Sequence, residues 1–185
     1  EMILEGTFSA LFLDRDGIVN FDSGFVWKKE GFVFQEEIFK LCKYFKDKGF
    51  KLVIVTNQSG IGRGLFSIRD FNELNDWMLS RFKEEGCDID LFLVSTLDPN
   101  DLTASNRELS FRKPAPGMLW AAQEILGLDL HNSLLIGDRE SDIEAGFNAG
   151  IKQLFLVNPT VVSGGNYHSF KSLEECLVGL KEIFN

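Results

Sequence analysis

The sequence is short of the residues that build disulfide frameworks and histidine metal sites. Its 185 residues include three cysteines, two histidines, four prolines and two tyrosines. Cys42, Cys87 and Cys176 are odd in number and far apart, and Cys42 and Cys176 fall within helical apolar patterns. Buried thiols are therefore expected, rather than disulfides or metal ligands. His131 and His168 are expected at the surface. No apolar run approaches the length of a membrane span, and no amino-terminal stretch has the length or flanks of a signal peptide, so a cytosolic, cytoplasmic protein is expected. Positive charge is scarce as well: 19 Lys and Arg face 28 Asp and Glu, a formal net charge of −9. That balance argues against general affinity for nucleic acid or for an anionic membrane surface. An anionic substrate must then be drawn in by a local cluster of cations. With no internal repeat and no linker, residues 1–185 read as one domain, a monomer or weak homo-oligomer.

What the chain does have is Phe, at 18 residues, and apolar segments of two alternating kinds. Phe8 to Leu13 and Lys51 to Val55 read as buried strands, as do Ile89–Val94, Ser133–Ile136 and Gln153–Val157. Between them lie helical patterns: Ile38, Leu41, Cys42 and Phe45, closed by Lys48-Gly49; Phe71, Leu74, Met78 and Phe82, opened by Ser67 with Asp70; Met118, Leu119, Ala122 and Ile125 after Pro116; and Ser141 to Ala149. Leu173, Cys176, Leu177, Leu180 and Phe184 mark a terminal helix. The polar segment Leu97 to Arg112 lacks periodicity and is expected to be a loop, as is Asn158 to Tyr167. Such alternation implies an α/β fold, a parallel sheet with helices on both faces.

The chemistry concentrates where strands end. Asp14-Arg15-Asp16-Gly17 follows the first strand, at the sheet edge where open α/β folds place their ligands. Side chains two apart on extended backbone point the same way, so Asp14 and Asp16 can share a site. Two acids held together repel, and a divalent cation is the natural third party. Thr56-Asn57-Gln58-Ser59-Gly60 follows the second strand, Arg112-Lys113-Pro114 precedes a helix, and Gly137-Asp138-Arg139 with Asp142 follows the fourth strand. Each alone is an ordinary turn, cap or surface charge. Four such groups at one edge of a β-α alternation are a site.

These four motifs resemble those of the haloacid-dehalogenase-like (HAD) superfamily of aspartate-dependent phosphohydrolases. The Asp-Arg-Asp-Gly wording, with Gly60-Ile61-Gly62-Arg63-Gly64 and Arg112-Lys113-Pro114-Ala115-Pro116-Gly117-Met118, is similar to the branch of heptose-bisphosphate and histidinol phosphatases. The resemblance implies a three-layer, Rossmann-like domain with strand order 5-4-1-2-3. It also implies a magnesium-dependent phosphatase for a small phosphorylated substrate. Asp14 would be the nucleophile and Asp16 the acid and base. Thr56 and Lys113 would hold the phosphate oxygens. Mg2+ would rest on the Asp14 carboxylate, the Asp16 backbone carbonyl and the Asp138 carboxylate, with Asp142 holding its water shell or Lys113.

Too little chain separates the motifs for an inserted cap, so a capless enzyme is expected, with specificity set by three loops. Mapped by motif, these offer Asp22, Ser23, Gly24 and Phe25; Asn57, Gln58, Ser59 and Arg63; and Arg112. Arg139 stands beside a metal ligand, and Arg15, in the first motif, is expected among the substrate-binding residues. Arg63, Arg112 and Arg139 with Lys113 could receive a second phosphate, which favours a bisphosphorylated sugar such as a heptose bisphosphate. Members of that branch often carry a Cys/His zinc loop before Arg-Lys-Pro, whereas Thr96 to Phe111 holds neither residue, so no zinc is expected there. Histidinol phosphate remains open as a substrate. The second and third motifs also resemble the 3′-phosphatase domain of polynucleotide kinase-phosphatases, which the net charge and the lack of a basic stripe oppose. A non-catalytic phosphosugar-binding protein is the remaining alternative.

Overall fold

The structure, a computed structural model, describes residues 8–160 and 165–185. Residues 161–164, within the expected loop Asn158 to Tyr167, and residues 1–7, within the expected domain 1–185, lie outside the described residues. Five strands form where the apolar runs predicted them: β1 (Ala10–Leu13), β2 (Lys51–Asn57), β3 (Leu91–Ser95), β4 (Leu134–Gly137) and β5 (Gln153–Val157). A sixth, β6 (His168–Phe170), was not expected; it is three residues long, with no alternation to read. All pairings are parallel and the order is β3-β2-β1-β4-β5-β6. This is the expected order 5-4-1-2-3 read from the other edge and extended by β6.

Alternate strand residues go to opposite faces, and the chain uses both. Leu11, Leu13, Leu52, Ile54, Leu134, Ile136, Phe155 and Val157 pack on one side against α1 (Ile38–Asp47), α3 (Ile68–Glu84) and α7 (Leu173–Phe184). Ala10, Phe12, Val53, Val55, Leu135, Leu154 and Leu156 pack on the other against α5 (Gly117–Leu126) and α6 (Glu140–Ala149). The phenylalanines serve the first side. Phe34 and Phe39 meet Phe82 edge to face, and Phe45 meets Phe50 and Phe184 in the same way. The three cysteines are free and buried, as expected. His131 and His168 are exposed, with the His168 ring stacked on Phe155.

The remaining elements serve the site. A 3-10 turn (Lys29–Gly31) is the one helical element between β1 and α1, and α2 (Ser59–Gly62) opens the segment after β2. The segment read as a loop from Leu97 to Arg112 holds a further helix, α4 (Asn106–Phe111). At six residues it is too short to show a period. Its signal was a capping box, in which Ser105 Oγ accepts from the Glu108 amide while the Glu108 carboxylate accepts from the Ser105 amide. No described helix is long and apolar enough to cross a membrane.

Candidate active site

Parallel pairing brings the ends of β1, β2 and β4 together. Leu13 lies beside Ile54 and Ile136, and the Asp14 amide donates to Ile136 O at 3.1 Å. The chain leaves the sheet there, and a cleft of about 570 Å³ opens along the edge. At its floor Lys113 Nζ donates to Asp14 Oδ1 at 2.8 Å and to Val55 O at 2.9 Å, and it pairs with Asp142 Oδ1 at 2.6 Å. The lysine arrives from a loop and is fixed by a two-way clamp. Asn57 Nδ2 donates to Lys113 O at 3.0 Å, and the Lys113 amide donates to Asn57 Oδ1 at 3.2 Å. Asp142 is fixed from its other oxygen, which accepts the Arg139 amide at the start of α6.

Carboxylate oxygens of Asp14, Asp138 and Asp142 all lie within 4.8 Å of one another. One lysine cannot neutralise three acids. Burial first, and then the charges of Asp142 and Asp138, push the Asp14 carboxyl well above its usual range, against the opposing pull of Lys113. Burial and Asp142 push Asp138 up to about 6. On Lys113 burial acts downward, but Asp14 and Asp142 outweigh it and hold the ammonium above the usual lysine range. Asp138 Oδ1 is buried with no hydrogen-bond partner. An orphaned oxygen among crowded hard-oxygen donors fits a divalent cation such as Mg2+. Gly17, at φ +88°, makes the crowding possible, since a Cβ there would collide with the Asp138 carboxylate.

Asp16 reaches the cleft differently. Its Oδ2 accepts from Gln58 Nε2 at 2.7 Å, and the same nitrogen lies 3.0 Å from Thr56 Oγ1. Its Oδ1 accepts from Asn20 at 3.0 Å. With its carboxylate so engaged, Asp16 is not one of the three clustered acids.

Arginines surround the mouth. Arg63 pairs with Asp98 at 3.4 Å and lies over the Phe25 ring, Arg139 pairs with Asp22 at 3.0 Å, and Arg112 donates to Leu97 O at 3.1 Å. Burial, and after it the nearby Arg63, push the Arg112 guanidinium below its usual range, against the opposing pull of Asp98. Phe25 has a left-handed backbone, φ 31°, on the first loop. A bulky residue there costs about 1–3 kcal/mol, and such strain concentrates at ligand clamps.

Of the expected site residues, Asp14, Asp16, Asp22, Gly24, Phe25, Thr56, Asn57, Gln58, Ser59, Arg63, Arg112, Lys113 and Arg139 line this one cleft, and Asp138 lies beside it in the acid cluster. Two expectations are corrected. Arg15 does not line the cleft: 1% exposed, its guanidinium binds Asp16 and Val26 O instead. The default for arginine is the surface, and only the flanking Phe32 and Phe71 rings explain its burial. Ser23 is exposed on the first loop without joining the lining. Conversely, two lining residues had no expected role: Pro99, outside every motif, and Ser141, between Arg139 and Asp142 in the fourth. Asp142 holds Lys113, one of the two roles considered for it.

A family model described as HAD-hydrolase-like matches residues 110–158. A D-glycero-alpha-D-manno-heptose-1,7-bisphosphate 7-phosphatase of Burkholderia mallei is 48% identical over 149 residues, 80% of this chain and 79% of the relative. One of the same name from Campylobacter jejuni is 42% identical over 174 residues, covering 94% and 96%. Among solved structures, the D,D-heptose 1,7-bisphosphate phosphatase of B. bronchiseptica, complexed with magnesium and phosphate, aligns with TM-score 0.82 at 25% identity, over 95% of this chain and 99% of that one. The motifs, the sheet order and these similarities agree, and the chain belongs to the heptose-1,7-bisphosphate 7-phosphatase family of HAD-like hydrolases.

Proposed function

We propose that this enzyme removes the 7-phosphate from D-glycero-D-manno-heptose 1,7-bisphosphate by way of an aspartyl-phosphate at Asp14. One observation carries the reading. A buried acid–lysine–acid floor, built to meet a phosphoryl group, lies in the same cleft as three arginines that can meet a second one. The 7-phosphate sits on a primary alcohol, a poor leaving group that needs a proton donor.

Asp14 Oδ1 is held by Lys113, which leaves Oδ2 to attack phosphorus in line. As the new P–O bond forms, the bond to the sugar oxygen breaks, and that oxygen keeps the electron pair and takes a proton from Asp16. Asp16, now a carboxylate, accepts a proton from water while the water oxygen attacks phosphorus. The Asp14–phosphorus bond breaks and inorganic phosphate leaves. Thr56 and Lys113 hold the equatorial oxygens, where negative charge spreads in the transition state. Two unit charges 4 Å apart repel by about 4 kcal/mol at an effective dielectric near 20, which is the barrier to bringing a phosphate dianion up to Asp14. Asp14, Asp138 and the Asp16 carbonyl would hold a magnesium ion, which would supply the charge that offsets this repulsion.

Arg63, Arg112 and Arg139 then receive the phosphate at the other end, while Asp22, Gly24, Phe25, Asn57, Gln58 and Ser59 shape the wall around the sugar. Ser23 belongs to the same loop without entering the wall. We read residues 1–185 as a single catalytic domain, in which residues of all four motifs converge on one cleft, active as a monomer or weak homo-oligomer. Three free, buried thiols suit a reducing cytoplasm. The test compares kcat/KM, with Mg2+, for heptose 1,7-bisphosphate, histidinol phosphate and a 3′-phosphorylated oligonucleotide. The heptose is expected to lead by at least tenfold, and a lead for either competitor would overturn the assignment.

A further inference from the structure

We infer that Arg15 is a positioning residue for proton transfer, fixing the Asp16 carboxylate so that Oδ2 alone exchanges the proton with the substrate and with water. The inference rests on the phosphatase reading above and adds a residue to it. Arg15 lies between the two acids of the first motif, yet its side chain turns away from the cleft and is buried. Nη2 lies 2.8 Å from Asp16 Oδ1 and 3.0 Å from Oδ2, and Nε lies 3.2 Å from Oδ1. The same Nη2 donates to Val26 O at 2.8 Å, and Phe32 and Phe71 each place a ring 5.9 Å from the guanidinium carbon. A planar fork with two rings beside it, paired with a carboxylate and tied to the backbone, is held in one orientation.

Its consequence for Asp16 is asymmetric. Oδ1 faces three donors, Nε and Nη2 of Arg15 and Nδ2 of Asn20, and is the more fully engaged oxygen, whereas Nη2, with two hydrogens for three acceptors, reaches Oδ2 only by the longer arm of a shared one. Oδ2 takes one contact from Arg15 and one from Gln58, whose donating nitrogen also touches Thr56, a residue of the phosphate site. Oδ2 is thus the oxygen on the substrate side. A carboxylate on a single χ2 torsion rotates freely unless it is held, and a general acid must be within about 3 Å of the oxygen it protonates. A buried cation at this position raises the demand on packing. It gains a purpose if what it fixes is the acid's direction.

The test exploits leaving groups. kcat/KM covers only the steps through loss of the alcohol, so a p-nitrophenyl ester, which departs unaided, reports attack by Asp14 without the acid. A primary alkyl phosphate reports both. Arg15→Met, which keeps the apolar stem, is expected to lower the alkyl-to-aryl ratio of kcat/KM at least tenfold, and Arg15→Lys to restore part of it while still falling short of wild type. In an Asp16→Ala background, where the ratio has already collapsed, Arg15→Met should change it less than twofold. A merely structural role would lower both esters together. An unchanged ratio in Arg15→Met would overturn the proposal; should that variant fail to fold, an unchanged ratio in Arg15→Lys would do so. Wild-type protein that released phosphate from neither these esters nor heptose 1,7-bisphosphate would overturn the phosphatase reading, and this proposal with it.

Discussion

Asp142 Oδ1 lies 2.6 Å from Lys113 Nζ, while Asp14 Oδ1 meets the same nitrogen at 2.8 Å from another side. The lysine is therefore a shared counter-ion, and both partners depend on it. Lys113→Met would leave three clustered acids with no cation among them. We expect kcat/KM to fall at least ~10³-fold, about 4 kcal/mol of transition-state stabilisation. The metal-free variant should also lose about 3–5 kcal/mol of stability near neutral pH, as when one partner of a buried ion pair is removed. Denaturant unfolding and steady-state kinetics check both. A rate within tenfold of wild type would contradict the assignment of Lys113.

The acid cluster predicts how stability answers to pH and metal. Asp138 is raised from its ordinary 3.8 to about 6, so its contribution is fully present below about pH 4 and is lost as pH rises through about 6. Above that point an ionised, crowded carboxylate is awaiting a cation. The thermal stabilisation given by Mg2+ should therefore be large at pH 7.5 and small at pH 5, where protons compete for the same oxygens. At a hundredfold excess over the dissociation constant the gain is about 2.7 kcal/mol. Melting curves with and without Mg2+ at the two pH values test this, and an equal gain at both would contradict it.

Arg112→Ala separates the two phosphates. The side chain is half-buried in the cleft wall and touches no other part of the described catalytic floor. KM for the bisphosphate should rise by roughly tenfold to a hundredfold, the value of a charge-assisted hydrogen bond of about 1.5–3 kcal/mol. KM for a monophosphate lacking the second group should change less than threefold. Equal effects on both would place Arg112 at the reacting phosphate instead.

Gly17→Ala should act on the metal without replacing any ligand. The new Cβ meets the Asp138 carboxylate, and the left-handed backbone adds about 1–2 kcal/mol of strain. Displacing a ligand by its support typically costs tenfold or more in metal affinity. Magnesium-activation curves are expected to shift by at least tenfold, and an unshifted curve would show that Asp138 is not a ligand.

Much of this was legible in the sequence, for reasons that can be named. Strands such as Leu52 to Val55, buried on both faces, must be continuous apolar runs, and the polar residues that follow them fall at one sheet edge by topology. Asp14, Thr56, Lys113 and Asp138 could thus be gathered before any coordinate was known. Arg15 could not, because what buries it is the approach of Phe32 and Phe71, far along the chain, and no local pattern encodes that meeting. Helix α4 and strand β6 are shorter than the periods that would reveal them. The bridge by which Gln58 joins Asp16 to Thr56 exists only because β1 and β2 are neighbours.

The central claim is that Asp14 carries the phosphoryl group between substrate and water. Rapid acid quenching of the wild-type enzyme with isotopically labelled phosphate ester and Mg2+, followed by peptide mapping, tests it most directly. We predict transient label on the peptide containing Asp14, sensitive to hydroxylamine, and none in Asp14→Asn, which should also lose turnover. Label on another residue, or full turnover in Asp14→Asn, would contradict the account.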